Sequence, residues 1–391
     1  MGPPSIGMRG SHDMILEIIF WLLILLSVYI YAGYPILLKL ISGVIKKERM
    51  TETGYEPKVT LFIAAYNEEK VIAEKVQNSV ELDYPQDKLE IIVVSDDSSD
   101  RTNDIVNEFV LKYPNVKLNV VKGRKGKTAA LNKSVPLATG EVLVFSDANS
   151  LYQKDAVHHL VKHFKDEEIG GVCGELRLTN PTNSSIGESE GAYWKYEKLL
   201  KMLETATGTT IVANGSIYAL RKELFKEMNP NVGDDMQNPL IIISQQKRFV
   251  YEPNAITMEE TSPKSSEEFG RKVRIVTRSF TGIMSYKSVL NPFKNFDFFY
   301  KYMSHKFLRW LVPYYMVAIF IINLFLLDQP LYQVMFGLQL LFYILALLGK
   351  VTSNKITYIP YYFCLVNYAA LLGTLRAISG KRQATWTPTS R

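Results

Sequence analysis

The sequence predicts an α/β fold, a doubly wound parallel sheet set between one N-terminal and about three C-terminal transmembrane helices. Three observations predict it. From Pro57 to about Asn180, apolar strand-like runs alternate with turns and amphipathic helical stretches, the order expected of a parallel sheet covered by helices. Long, nearly charge-free apolar runs flank that region on both sides. Between Val59 and Arg278, short polar clusters recur at the ends of apolar runs: Ala65-Tyr66-Asn67-Glu68, Ser95-Asp96-Asp97-Ser98, Ser146-Asp147-Ala148-Asn149, Gly233-Asp234-Asp235 and Arg271-Lys272-Val273-Arg274.

In chain order, residues 1–13 read as a tag or cloning remnant (Met1 to His12), with Met14 as the native start. Residues 14–50 form the first membrane unit. Ile15 to Ile45 opens on an apolar run carrying Trp21, Tyr29, Tyr31 and Tyr34, and Lys46-Lys47-Glu48-Arg49 follows it. Such a run is long enough to cross a hydrocarbon core, and the basic cluster assigns its end to the cytoplasmic side. A signal peptide would show a shorter apolar core and a small-residue cleavage site.

Residues 51–265 are the polar domain. Strands are expected at Val59 to Ala65, Glu90 to Val94, Lys117 to Val121 and Glu141 to Phe145, with helices at Glu69 to Leu82, Thr102 to Tyr113 and Lys127 to Leu137. Ligands of such sheets bind beyond the carboxyl ends of the strands, where Asn67, Asp96, Asp97 and Asp147 fall. Each cluster has a plainer explanation. Ser95 to Arg101 reads equally as a helix-capping turn, and Asp147-Ala148-Asn149 as an Asx turn. Gly126-Lys127-Thr128 lacks the spacing of a P-loop, although a helix start carrying a lysine suits a phosphate. Acidic turns at consecutive strand ends nevertheless crowd negative charge at one sheet edge, which is costly unless a cation sits there.

Residues 266–308 read as interfacial amphipathic helices, from the basic, aromatic stretch Glu267 to Lys306; an ordinary surface helix has the same pattern. Residues 309–378 hold the remaining spans, Leu311 to Leu327, Leu331 to Leu348 and Tyr358 to Leu375, and 379–391 the tail. With the polar domain cytoplasmic, four crossings put Lys381-Arg382 outside, against the positive-inside rule, unless one late segment is re-entrant.

Composition narrows the function. A net charge of +6 over 391 residues is too mild to argue for nucleic acid. Lys and Arg beside the apolar segments suit a membrane surface instead. Cys173 and Cys364 lie far apart and give neither a disulfide framework nor a metal knuckle, in keeping with a reducing compartment. His159 and His163 have the spacing of a helical metal pair, but with His158 and no accompanying Glu they read as a solvated helix face.

Residues from about Val59 to Ser279 resemble a membrane-integrated family 2 glycosyltransferase, the inverting class with a GT-A (Rossmann-like) catalytic domain that includes cellulose, hyaluronan and chitin synthases. The resemblance extends over the preceding helix and the following membrane helices. It implies that Ala65, Tyr66, Asn67 and Glu68 enclose the nucleoside and that Asp97, with Asp96, reads the uracil edge. It further implies a donor-side Lys127, a metal pair at Asp147 and Asn149, Asp235 as catalytic base, and Arg274 as the Arg of the closing motif, while Arg271, standing where the family has Gln, is a further positive charge for the donor phosphates. Asn214, Gly215, Asp234 and Trp194 fall on the acceptor side.

The resemblance implies metal-dependent (Mg²⁺ or Mn²⁺) transfer from a UDP-sugar to a hydroxyl of a glycan or lipid-linked acceptor. It also implies a multi-pass protein of the cell (inner) membrane with its catalytic domain cytoplasmic. A transferase acting on a polyprenyl phosphate or other lipid is the second reading, and a silent nucleotide-sugar-binding scaffold of an export complex the third. A second copy of the chain or an export partner is compatible with all of these. Two departures matter. Asn149 stands where the family has a second acid, and Ile275 where polymerising members stack a Trp on the growing chain. A counterpart of the cellulose synthase gating loop is not evident either. Short or single-sugar transfer is therefore expected.

Overall fold

The computed structural model describes residues 11–179, 185–260, 265–352 and 354–380. Helix α1 (Ser11–Val28), a π-helical turn (Tyr29–Gly33) and α2 (Tyr34–Val44) form one continuous apolar rod. The polar domain then runs β1 (Val59–Ala65), α3 (Ile72–Val80), β2 (Leu89–Ser95), α4 (Thr102–Lys112), β3 (Val116–Val120), α5 (Lys127–Ser134) and β4 (Val142–Asp147). Next come β5 (Leu151–Tyr152), α6 (Ala156–Val161), β6 (Ile169–Thr179), α7 (Ser185–Thr207), β7 (Tyr218–Arg221), α8 (Asp234–Ser244) and β8 (Arg248–Glu260). The chain closes with α9 (Ser265–Ser285), α10 (Phe296–Tyr302), α11 (Leu308–Phe325), α12 (Pro330–Gly349) and α13 (Lys355–Ile378).

The strands form one 8-stranded sheet in the order β3-β2-β1-β4-β7-β6-β8-β5. β3, β2, β1 and β4 are mutually parallel, so the polar clusters after β1, β2 and β4 meet at one edge. These four are the strands expected from the strand–helix alternation, and the remaining strands extend the sheet. β7 is antiparallel to both β4 and β6, and β5 is antiparallel to β8. These strands are short or follow long connections, so the strand–helix alternation that dictates parallel pairing never covered them.

β1 and β2 are buried on both faces, which is why they read as continuous apolar runs. One face carries Phe62, Phe145 and Tyr218 in a stack, with ring centroids 5.5 and 4.8 Å apart. Leu131 of α5 and Leu240 of α8 belong to the same core. The other face is covered by Ile72 and Val76 of α3, Val106 of α4 and Leu160 of α6.

Among the described residues, four helical stretches are long and apolar enough to cross a membrane: Ser11–Val44, Phe296–Phe325, Pro330–Gly349 and Ile356–Ile378. The segment expected to be interfacial divides into two parts. α9 packs against α13, where Thr277 Oγ1 donates to the Gly373 carbonyl at 3.1 Å. α10 runs through a π-helical turn (Met303–Phe307) straight into α11. The two π-helical turns meet, with Tyr29 Oη 2.8 Å from Ser304 Oγ.

The histidine reading is corrected. His158 and His159 lie in α6 but His163 lies in a following 3₁₀ turn, buried, with Nε2 2.7 Å from Glu252 Oε2. The helix breaks before the metal-pair spacing is realised. Most of residues 1–13, Lys381-Arg382 and most of the 379–391 tail lie outside the described residues.

Candidate active site

The loops after β1, β2 and β4 and the start of α5 form the walls of an open cleft of about 410 Å³, which includes Ala65, Tyr66, Asp96, Arg124, Lys127 and Asp147. Its floor is locked by local hydrogen bonding. Asp96, buried at the end of β2, accepts from the Lys125 and Gly126 amides at 2.8 Å each. Gly126 has φ of +91°, a conformation that favours glycine, and it delivers the chain to the N-terminus of α5.

Asn67 and Asp97 both take left-handed backbone conformations, φ +52° and +59°, which these residue types tolerate best among those with side chains. Asn67 Oδ1 accepts from the Ser99 amide at 2.8 Å, tying the first loop to the second. Glu68 is held there by its own amide, which donates to Thr102 Oγ1 at 2.8 Å. Asp97 accepts from the Gly123 amide at 2.9 Å and pairs with Lys122 at 3.3 Å. The Gly123 bond, aided by Lys122, holds its carboxyl below the usual range. Asn67, Glu68 and Asp97 therefore shape the rim, whereas Ala65, Tyr66, Asp96, Lys127 and Asp147 line the cleft.

Lys127 joins the two halves of the site. Its Nζ donates to Asp147 Oδ1 at 2.7 Å and lies 3.3 Å from Asp234 Oδ2. Burial pulls the ammonium's pKa down, but Asp147 and then Asp234 outweigh it and hold it above the ordinary lysine range. Asp234 is fixed from its other side by Tyr218 Oη at 2.7 Å.

Asp235, the second residue of α8, lies beside Gly215, and a Cβ at Gly215 would lie 3.4 Å from Asp235 Oδ2. The Asn214-Gly215 turn thus keeps the surface in front of this carboxylate low. Burial first and Asp234 second push the Asp235 pKa up to about 6, against the pull of Lys127 and Arg278. A carboxylate that must be ionised to accept a proton gains activity as pH rises through its pKa. A reaction in which Asp235 accepts a proton should therefore climb in rate through about pH 6 and then level off, measured at saturating substrate.

Asp147 has no other carboxylate bond among the described residues, and the Asn149 side chain makes no hydrogen bond there. No set of three His, Cys, Asp or Glu groups stands ready to hold a metal among them. A hard cation that keeps water and phosphate oxygens needs only one or two protein oxygens. Asp147 and the Asn149 amide oxygen fit a divalent ion on those terms.

Several site residues escape the motif reading. Arg124 lines the cleft with its guanidinium carbon 4.4 Å from the Tyr66 ring centroid. Lys75 is fully buried behind the Asp147 turn, donates to the Ser150 carbonyl, and lies 3.9 Å from the Tyr152 ring centroid. Burial lowers its pKa to about 7, against Asp147 and Glu259. Glu259 accepts from Ser150 Oγ at 2.5 Å and from Ser216 Oγ. A lysine on the apolar stripe Ile72-Lys75-Val76-Ser79 was the signal for the first. Of the remaining expected residues, Trp194 lies partly buried on α7 and Ile275 is 52% exposed on α9. The side chain of its neighbour Tyr193 lies outside the described residues.

The sequence matches the model of Glycosyl transferase family 2 over residues 60–228. It is 30% identical over 303 residues to "Probable glycosyltransferase YdaM" of Bacillus subtilis, covering 71% of this chain and 69% of that protein. A "Beta-monoglucosyldiacylglycerol synthase" of Trichormus variabilis is 29% identical over 172 residues, 44% of this chain and 37% of that one. A Staphylococcus epidermidis "Poly-beta-1,6-N-acetyl-D-glucosamine synthase" is 27% identical over 172 residues, and the chain spans 41% of its length. Among solved structures, a mannosyltransferase of Pyrobaculum calidifontis in complex with GDP-Man and Mn²⁺ aligns with TM-score 0.70 at 22% identity. It covers 94% of this chain and 99% of its own.

Proposed function

The chain belongs to glycosyl transferase family 2, and from that premise we propose that it is a metal-dependent, inverting transferase. In this reading it moves one or a few sugars from a UDP-sugar to a hydroxyl at the membrane surface. The enzyme class follows from the family. Donor, metal, stereochemistry and acceptor are the proposal. So is its place as a multi-pass protein of the cell membrane with the catalytic domain cytoplasmic.

The observation that carries it is the Asp147–Lys127–Asp234 chain, which ends beside Asp235 and the bare Gly215 turn. One end suits a diphosphate and the other a hydroxyl. The nucleoside would lie in the cleft along Ala65, Tyr66 and Asp96, with Arg124 over the Tyr66 face. A divalent ion held by Asp147 and Asn149 would neutralise charge on the departing diphosphate. Lys127, at the amino end of α5, supplies a fixed positive charge to the same group. Asp235 takes the proton of the acceptor hydroxyl as its oxygen bonds to the anomeric carbon. The bond from that carbon to the diphosphate breaks with its electron pair leaving on the phosphate oxygen. One displacement inverts the centre and gives a β-link from an α-linked donor.

Exposed Ile275 gives no aromatic platform for a growing chain, which supports short products. The relatives named for diacylglycerol glucosylation favour a lipid acceptor, and those named for a polymer favour the opposite.

The full chain, purified in detergent, should release UDP from a UDP-sugar in Mn²⁺ and lose that activity in EDTA. Asp147→Ala should abolish metal-dependent nucleotide binding. If GDP-mannose is used and no UDP-sugar is, the uracil assignment is wrong. If no common nucleotide-sugar is consumed with glycan and lipid acceptors both supplied, the transferase reading itself fails. Product sizing at excess donor decides length, since a high-mass ladder without intermediates would contradict short transfer.

A further inference from the structure

Arg271, Arg274 and Arg278 recur at i, i+3 and i+7 on α9, which places them on one face of the helix. Arg271 acts electrostatically on Glu259 at one end of the site and Arg278 on Asp235 at the other. α9 can approach that closely because Gly282, one turn beyond Arg278, lies against Val232 and Met236 beside the Gly233-Asp234-Asp235 turn.

Burial and then Arg278 and Arg271 lower the pKa of Arg274. Among the described residues neither Arg274 nor Arg278 has an ion-pair partner, and Arg278 Nε is buried without a hydrogen-bond partner. Half-buried like charges in a column are costly unless an anion joins them. The column rises about 10 Å along the helix, farther than a diphosphate can reach. Lys127, Arg271 and Arg274 suffice for the donor phosphates. Arg278, beside the base, is left over.

We propose that Arg278 binds an anionic group of the acceptor, and that the acceptor is a phospholipid whose headgroup carries both a phosphate and a free hydroxyl. The inference rests on the transferase reading above and adds the acceptor class to it. The lipid source is favoured because α9, which carries the column, rests through Val273, Val276 and Thr277 on α13, one of the candidate membrane spans. Headgroup hydroxyl and phosphate then meet Asp235 and Arg278 together.

The test uses the full chain in vesicles of phosphatidylcholine containing either phosphatidylglycerol or neutral diacylglycerol, with labelled donor. Label should pass into chloroform-extractable lipid with phosphatidylglycerol. Arg278→Met should raise the KM for that lipid by about 10–100-fold, the loss expected for one charge-assisted hydrogen bond, while UDP affinity stays unchanged. Arg278→Lys, which keeps the charge, should retain most of the affinity. Equal glycosylation of neutral diacylglycerol, label found only in a soluble uronic-acid glycan, or an equal loss of UDP binding in Arg278→Met would each overturn the inference. Titration of short-chain phosphatidylglycerol against the UDP-bound protein reads it independently of turnover. Weaker binding by Arg278→Met supports the site, and unchanged binding overturns it. Absence of transfer by the parent with every donor strikes the transferase reading alone.

Discussion

Asp235→Asn should cut sugar transfer by about 10²–10⁴-fold, the usual contribution of a positioned general base, while nucleotide affinity stays near that of the parent. The amide keeps the shape of the side chain beside Gly215 but cannot take the hydroxyl proton. Neighbouring Asp234 makes the contrast. It is held by Tyr218 Oη at 2.7 Å and touches Lys127 at 3.3 Å, so its work is to set the lysine rather than to receive a proton. Asp234→Asn should therefore weaken nucleotide binding as well as turnover, because Lys127 loses one of its two anchors. Isothermal titration with UDP and initial-rate assays on both variants separate the cases. Loss of UDP binding in Asp235→Asn would make that residue a donor contact and not the base. The pH profile gives a second check, since the rise through about pH 6 assigned to Asp235 should vanish from the residual activity of Asp235→Asn.

The sequence marked the parts of this site that sit at strand ends. Asp96 and Asp147 end or follow buried apolar runs, and mutually parallel strands must bring such ends to one edge. Asp234 and Asp235 were visible as charges opening a helix after a glycine. Polar type at a strand end does not say which way the side chain turns, and Asn67 and Asp97 turn into loop bonds at the rim. Arg278 and Glu259 were invisible for another reason. Their meaning comes from which element α9 and β8 pack against, and that is set by contacts far apart in sequence. The same limit explains the sheet. Local alternation specified β1 to β4, but β7 inserts between β4 and β6 through pairing that no short pattern encodes. The membrane helices were legible from length and apolarity alone, whereas their attachment to the catalytic domain was not.

That attachment carries the largest expected effect on stability. Glu204 of α7, fully buried, meets His305 Nδ1 at 2.6 Å through Oε1 and accepts from Tyr34 Oη at 2.9 Å and Thr210 Oγ1 at 3.0 Å. His305 Nε2 lies 3.1 Å from Glu197, which also pairs with Arg309 at 2.5 Å. One buried polar network thus fastens the first membrane rod, α7 and the start of the second span at the two π-helical turns. Burial alone would raise the pKa of Glu204, but His305 reverses it and holds the carboxyl below its ordinary range. A carboxylate with a depressed folded pKa stabilises the protein above its unfolded pKa, and that stability is lost as pH falls through the folded value. His305→Leu removes that partner and leaves the buried Glu204 carboxylate with Tyr34 and Thr210 as donors and Lys301 as the remaining positive charge nearby. Breaking a buried pair from one side costs about 3–5 kcal/mol. Lys301 still favours the carboxylate in the variant, so the sign is kept but less of the stability present above the unfolded pKa remains. Thermal unfolding in detergent across pH 4 to 8 should show the parent weakest at the acid end. His305→Leu should be weaker than the parent at neutral pH and lose less further stability toward the acid end. Parallel pH curves for the two proteins would mean that His305 fills space there without holding the Glu204 charge.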